Sequence, residues 1–183
     1  MLNKFESQFL KQKCDKHYHG YHEYYNYVLG NTTIQSLLEI GVAWGDSLKA
    51  WRIIWPDATI DALDLHRQYD LSLEEQFKIY NIDSTNEESS RLVSSTYDMI
   101  VDDGNHNWKI QLETFNLYFD NAKKFYVIED VMGMRSLDLL LKYLPKDVRD
   151  DAHIFESRGH KRLFKVDEYS ETDSYRIMFI DKR

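Results

Sequence analysis

The chain is poor in the residues that would mark several protein classes. Its single cysteine, Cys14, cannot close an intramolecular disulfide or build a cysteine-based zinc site. Two prolines and seven glycines in 183 residues, with no low-complexity tract, leave little material for linkers or large disordered segments. No apolar run reaches the length of a membrane span, and the opening MLNKFESQFLKQK lacks the apolar stretch of a secretory leader. Cations are also short. With 23 Lys and Arg against 31 Asp and Glu, the net charge is −8, which repels phosphate polymers unless the basic residues gather on one face. The one basic cluster, Arg158, His160, Lys161, Arg162 and Lys165, is brief and reads as a solvated loop. A cytoplasmic protein that binds neither nucleic acid nor membrane is expected.

What is present suits a packed core. Hydrophobic residues make up 43% and aromatics 14%, enough for one domain over 1–183 with residues 1–30 as a helical lead-in. Leu2, Phe5 and Phe9 share one helical stripe, and Tyr21, Tyr24, Tyr25 and Val28 a second that ends at Gly30. Strands are then expected at 36–41, 58–65, 77–82, 97–103, 124–130, 152–157 and 174–181. Between them lie a helix carrying Leu48, Trp51 and Trp55, another with Trp108, Leu112, Phe115 and Phe119, and a third with Leu137, Leu140, Leu141 and Leu144. Alternating strands and helices predict an α/β fold: a seven-stranded, mostly parallel sheet with helices on both faces.

Ligands of such sheets bind at the carboxyl ends of the strands, and here those ends are acidic. Glu39 precedes the loop GVAWGDS, and Asp64, Asp83, Asp102 with Asp103, and Glu129 with Asp130 close the next four strands. Carboxylates gathered at one edge repel each other, so something positive should sit among them. The first loop bears on what binds. A dinucleotide fold needs GxGxxG to cradle pyrophosphate, but the matching positions are Gly41, Ala43 and Asp46, and Asp46 opposes an anion at the helix start. An adenosine cofactor without phosphate, such as S-adenosylmethionine, avoids the conflict, and Asp64 could then accept both ribose hydroxyls. The alternative is a glycine turn required only by geometry.

A second constellation, Asp102-Asp103-Gly104-Asn105-His106, pairs with Glu129-Asp130 if strands four and five are neighbours. Oxygen ligands of this kind favour Mg²⁺ or Ca²⁺ over zinc, and His106 could act as a general base beside the ion. Helix capping by Asp103, Asn105 or Asp130 is the plainer alternative. His17, His19 and His22 lack a carboxylate or cysteine partner for a metal.

These motifs resemble the class I S-adenosylmethionine-dependent methyltransferases, and among them the metal-dependent macrocin and mycinamicin sugar O-methyltransferases with the related cephalosporin-biosynthesis branch. Cys14-Asp15-Lys16 with Tyr21 and Tyr25 is similar to the group's TDK…Y…Y; LLEIGVAWGDSLKAW, IDALDL, NIDSTN, YDMIVDDGNHNWKIQLETF and FYVIEDV follow in the group's order. The resemblance implies a Rossmann-like class I methyltransferase fold, with Glu39 and Gly41 facing the methionine part of the cofactor, Asp64 the ribose, and Asp83 with Ser84 the adenine; Asp102 is counted with these cofactor-facing residues. It further implies Asp103, Glu129 and Asp130 as metal ligands, His106 as general base, Mg²⁺ as the ion, and a small hydroxylated acceptor such as a sugar. Asp46, Asn81 and the stretch NAKKF depart from the group's pattern. A catalytically silent cofactor-binding protein, or a metal-dependent hydrolase or sugar-nucleotide enzyme, would use many of the same residues. The sequence leaves a homo-oligomer open.

Overall fold

The computed structural model describes residues 2–93, 95–157 and 175–183, so the basic cluster at 158–165 lies outside the described residues. Helix α1 (Lys4–Lys11) starts where the Asn3 carboxamide accepts the Glu6 N–H at 2.8 Å. It buries Phe5 and Phe9, whereas Leu2, expected on the same stripe, is exposed. A single turn, α2 (Asp15–Tyr18), leads to α3 (Tyr21–Leu29), which ends at Gly30 in a left-handed conformation (φ 50°). The rings of Phe9 and Tyr25 stand edge-on to Trp51 of α4 (Asp46–Ile54), at centroid distances of 5.0 and 5.1 Å. This aromatic packing fixes the lead-in over the first βα unit.

The strands are β1 (Ser36–Ile40), β2 (Thr59–Leu63), β3 (Lys78–Tyr80), β4 (Tyr97–Asp102), β5 (Ala122–Met132), β6 (Ala152–Glu156) and β7 (Tyr175–Asp181). They form one seven-stranded sheet in the order β3-β2-β1-β4-β5-β7-β6, parallel from β3 to β5, with β7 antiparallel to both its neighbours. Alternate residues feed opposite cores: Leu37, Met99, Val101, Phe125, Val127 and Phe179 pack on one face, Leu38, Ile100, Tyr126, Ile128 and Met178 on the other. Strand order reverses between β1 and β4, where Ile40 pairs with Asp102, so the crevice of the sheet opens beside these two ends. No helix among the described residues is long and apolar enough to cross a membrane.

A short helix, α5 (Glu87–Leu92), lies between β3 and β4, and the helix after β4 departs from the expected apolar stripe. In α6 (Trp108–Tyr118) the buried residues are Gln111, Thr114, Phe115 and Tyr118. Gln111 turns inward because its side-chain amide donates to the Glu129 carbonyl at 2.8 Å, while Trp108 leaves the core and stacks on Tyr143 of α7 (Gly133–Tyr143) at 5.8 Å. The sequence pattern also misses the five-residue α8 (Lys146–Asp150) after Pro145.

At the opposite end of β4, Asp98 accepts the Gln35 N–H at 2.8 Å and the Lys124 ammonium at 2.9 Å. Burial pushes its carboxyl up, but these two donors outweigh it and hold it below the usual range. Its stabilising contribution is therefore complete above the unfolded-state pKa and lost as pH falls through the folded one. Asp98→Asn is expected to cost about 1 kcal/mol at neutral pH, since Lys124 is partly exposed, and nothing near pH 2. Urea unfolding at both pH values checks this.

Candidate active site

The loop after β1 is shaped by close approach. Gly41 has φ 92°, and a Cβ there would lie 2.1 Å from the Asp103 carbonyl oxygen, so only glycine lets the β1 and β4 ends meet. Asp64, beyond β2, accepts the N–H groups of Val42 at 2.6 Å and Ala43 at 3.1 Å on one oxygen and of His66 at 2.6 Å on the other. It thereby ties its own turn to the glycine loop. Asn81 clamps the same turn by donating to the Asp64 and Leu65 carbonyls, which gives that departure from the group's pattern a structural role. Asp46 begins α4, as expected of an acid favoured by the helix dipole, and pairs with Lys49 at 3.1 Å.

Two adjoining cavities open here. The first, about 360 Å³, brings Gly41, Asp64, Asp83, Ser84, Asp103 and Gly104 together. The second, about 420 Å³, is lined by Lys13, Asp15, Trp44, Asp46, Asp103 and His106 among others. They share Gly41, Ala43, Asp103 and Gly104. Both fall in the size range of small-ligand sites.

Beneath the shared wall lies an acidic cluster that contains a cation of its own. The Lys16 ammonium, buried in α2, contacts Asp103 at 2.5 Å, Glu129 at 2.6 Å and Glu39 at 3.4 Å. Tyr25 donates its hydroxyl to the other Glu129 oxygen, and Tyr21 donates to Asp130 at 2.5 Å. Successive residues of a strand normally point to opposite faces, yet Glu129 and Asp130 both reach the cluster. The β5–β7 register shifts between Ile128 and Val131, and Asp130 sits at φ 53°, a bulge that re-aims its side chain. His106 Nε2 then lies 3.7 Å from Asp103 and 3.6 Å from Asp130. Among the described residues, Asp103, His106 and Asp130 form the one group able to converge on a metal ion, their ligand atoms within 4.8 Å of one another.

One ammonium does not satisfy all these acids. Burial raises Glu39 and Glu129, with only partial relief from Lys16, and raises Asp130 with help from Asp103. Burial also opposes charge on Asp103, but Lys16 and His106 outweigh it and hold this carboxyl low. Burial lowers Lys16 and His106, and in each the surrounding carboxylates win and raise the pKa. The raised carboxyls mark a mutual repulsion that Lys16 relieves only in part around the Asp103–His106–Asp130 group.

The predicted site residues divide accordingly. Gly41, Asp64, Asp83 and Ser84 share the first cavity, and Asp103 and His106 border the second. Glu39, Asp102, Glu129 and Asp130 line neither cavity. Glu39 is fully buried, accepting the Ser47 hydroxyl at 2.8 Å, and Glu129 is occupied by Lys16 and Tyr25. Asp102 follows strand alternation to the other face of the sheet, where one of its oxygens has no partner and burial pushes the carboxyl up to about 8. The capping alternative does not describe α6 or α7, because Asn107 caps α6 by accepting the Lys109 N–H at 3.0 Å and α7 has no side-chain cap. His17 stacks on His22 at 5.1 Å, and His17, His19 and His22 do not enter the metal-competent group. The sequence reading gave no role to Lys16 and took the tyrosines chiefly as core. The available signal was the surplus of strand-end acids, which called for a cation.

No family model matches the chain, and no curated protein matches it by sequence. In structure it is similar to MycE, a methyltransferase from the mycinamycin biosynthetic pathway solved with Mg and SAH (TM-score 0.69, 20% identity, 100% of this chain and 55% of that one). A second structure of MycE, with Mg, SAH and mycinamycin VI, gives a TM-score of 0.70 at 20% identity over 98% of this chain and 53% of that one. It is also similar to the plantazolicin methyltransferase BpumL in complex with SAH (0.61, 14%, 99% and 86%) and to the N-methyltransferase NodS from Bradyrhizobium japonicum WM9 with SAH (0.59, 9%, 98% and 98%). The chain has the class I methyltransferase fold, and it spans about half the length of the MycE chains it matches.

Proposed function

We propose that the chain is an S-adenosylmethionine-dependent methyltransferase acting on a hydroxyl of a small molecule such as a sugar, assisted by a divalent ion, Mg²⁺. One observation carries this reading: an adenosine-sized cleft with Asp64 and Asp83 at its wall and Asp46 at its helix start adjoins the Asp103–His106–Asp130 opening. The acid at the helix start disfavours pyrophosphate, and the acid beyond β2 suits ribose hydroxyls. Acids whose repulsion Lys16 relieves only in part suit a divalent cation, which Asp103 and Asp130 would hold. The SAH bound in MycE, BpumL and NodS, and the Mg in MycE, support the same reading.

Donor and ion, when bound, would supply a sulfonium methyl and an acidified acceptor hydroxyl. His106, about one-third exposed beside Asp103 and Asp130, would take the hydroxyl proton on its imidazole nitrogen. Asp103 orients that imidazole. Asp64 and the Gly41 turn hold the adenosine end. Oxygen rather than nitrogen is favoured as acceptor because an alcohol needs such a base and an ion, whereas a neutral amine is already nucleophilic.

Calorimetric titration tests the two halves separately. Asp64→Ala is expected to weaken S-adenosylmethionine binding by about 10- to 100-fold, the worth of hydrogen bonds to a charged acceptor. Asp103→Ala should lose its dependence on divalent ion and lose less donor affinity than Asp64→Ala does. Equal loss of donor binding in both variants would rule out two separate subsites.

A further inference from the structure

We infer that Lys13 is the carboxylate anchor for the amino-acid end of the methyl donor, an inference that rests on the donor reading above. Lys13 stands in the left-handed region at φ 59°, one of three non-glycine residues to do so among the described residues. A β-carbon there is unfavourable and glycine would adopt the conformation freely, so the lysine needs another reason to occupy the position. Its backbone N–H closes the turn after α1 by donating to the Leu10 carbonyl at 3.2 Å, and the residue, itself exposed, is among those that line the second cavity. Its ammonium makes no hydrogen bond or ion pair with the described residues.

The charges around that cavity explain what such a cation would meet. Lys13 shares that lining with Asp15, Asp46, Asp103 and His106. A wall with one free ammonium and several carboxylates suits a ligand carrying both signs, and an α-amino acid group is such a zwitterion. The two cavities share Gly41, Ala43, Asp103 and Gly104, so a donor with its adenosine in the first extends its amino-acid end into the second. The carboxylate would then meet Lys13 and the ammonium Asp15 or Asp46. Lys16, the neighbouring cation, is already enclosed by Asp103, Glu129 and Glu39 and does not supply this contact.

Titration calorimetry on the intact protein with S-adenosylhomocysteine and with 5′-methylthioadenosine, which lacks the amino-acid end, tests the inference. Lys13→Gln and Lys13→Gly should each bind S-adenosylhomocysteine about tenfold more weakly, the scale of one charge-assisted hydrogen bond, and bind 5′-methylthioadenosine as wild type does. Lys13→Arg should retain most of the affinity. The glycine variant should melt no lower than wild type, which separates lost contact from lost fold. Unchanged S-adenosylhomocysteine affinity in the Gln and Gly variants, or equal weakening of both ligands, overturns the assignment. If the unsubstituted protein binds neither ligand, the donor reading itself fails and the role of Lys13 falls with it.

Discussion

Replacing Lys16 with methionine is expected to destabilise the fold by about 3–5 kcal/mol at neutral pH, the cost of leaving buried charge without its partner. Methionine preserves most of the volume, so the loss measures charge rather than packing. Glu39 and Glu129 are almost wholly inaccessible, and both share the ammonium with Asp103. Without it they can escape the penalty only by binding protons, so their folded pKa values rise further above the unfolded ones. The unfolded state then ionises first as pH rises, and the deficit should be smaller at pH 5 than at pH 8. Adding Glu129→Gln removes one of the stranded charges and keeps an acceptor for Tyr25, so the double variant should regain part of the loss. Urea unfolding at the two pH values is the measurement; a deficit below about 1 kcal/mol at both would mean that the acids are already neutral in the folded protein.

Lys16 also shows where sequence reasoning stops. The acidic strand ends were legible because parallel strands place their carboxyl ends together, and the neighbourhood of β4 and β5 makes Asp103 and Asp130 converge. The need for positive charge among them followed from repulsion alone. Its source did not, because Lys16 lies on a four-residue turn with no amphipathic period, and only the packing of Phe9 and Tyr25 on Trp51 brings that turn over the sheet edge. The bulge at Asp130 was equally invisible, since a strict alternation would have sent Glu129 and Asp130 to opposite faces. The same alternation does govern Asp102 and Asp103, and it carries Asp102 away from the cavity wall expected for it. In α6 the apolar stripe was overridden by one polar contact, Gln111 to the Glu129 carbonyl. The strands followed from periodicity and their order did not; the departures arise where a single long-range polar contact decides which way a side chain turns.

His106→Ala is expected to lower the rate of methyl transfer by about 10²- to 10⁴-fold, the usual contribution of a positioned general base, with donor affinity nearly unchanged. His106 borders the second cavity and approaches Asp103 and Asp130, away from the adenosine end of the donor, whose proposed contacts Asp64, Asp83 and Ser84 line the first. The rate is read as transfer of labelled methyl to whichever hydroxylated acceptor a panel identifies, at saturating divalent ion so that any weakened ion binding does not limit it. Two roles for the imidazole remain distinguishable in that experiment. A base leaves ion affinity intact when removed, and free imidazole added to the alanine variant should restore part of the rate, because the partly exposed ring leaves a space open to solvent. A ligand of the ion would show the converse, with weaker ion binding and no response to imidazole. Transfer at the wild-type rate in His106→Ala would exclude the role of base, and an unchanged ion affinity in the same variant would exclude that of ligand, leaving Asp103 and Asp130 as the other described members of the group.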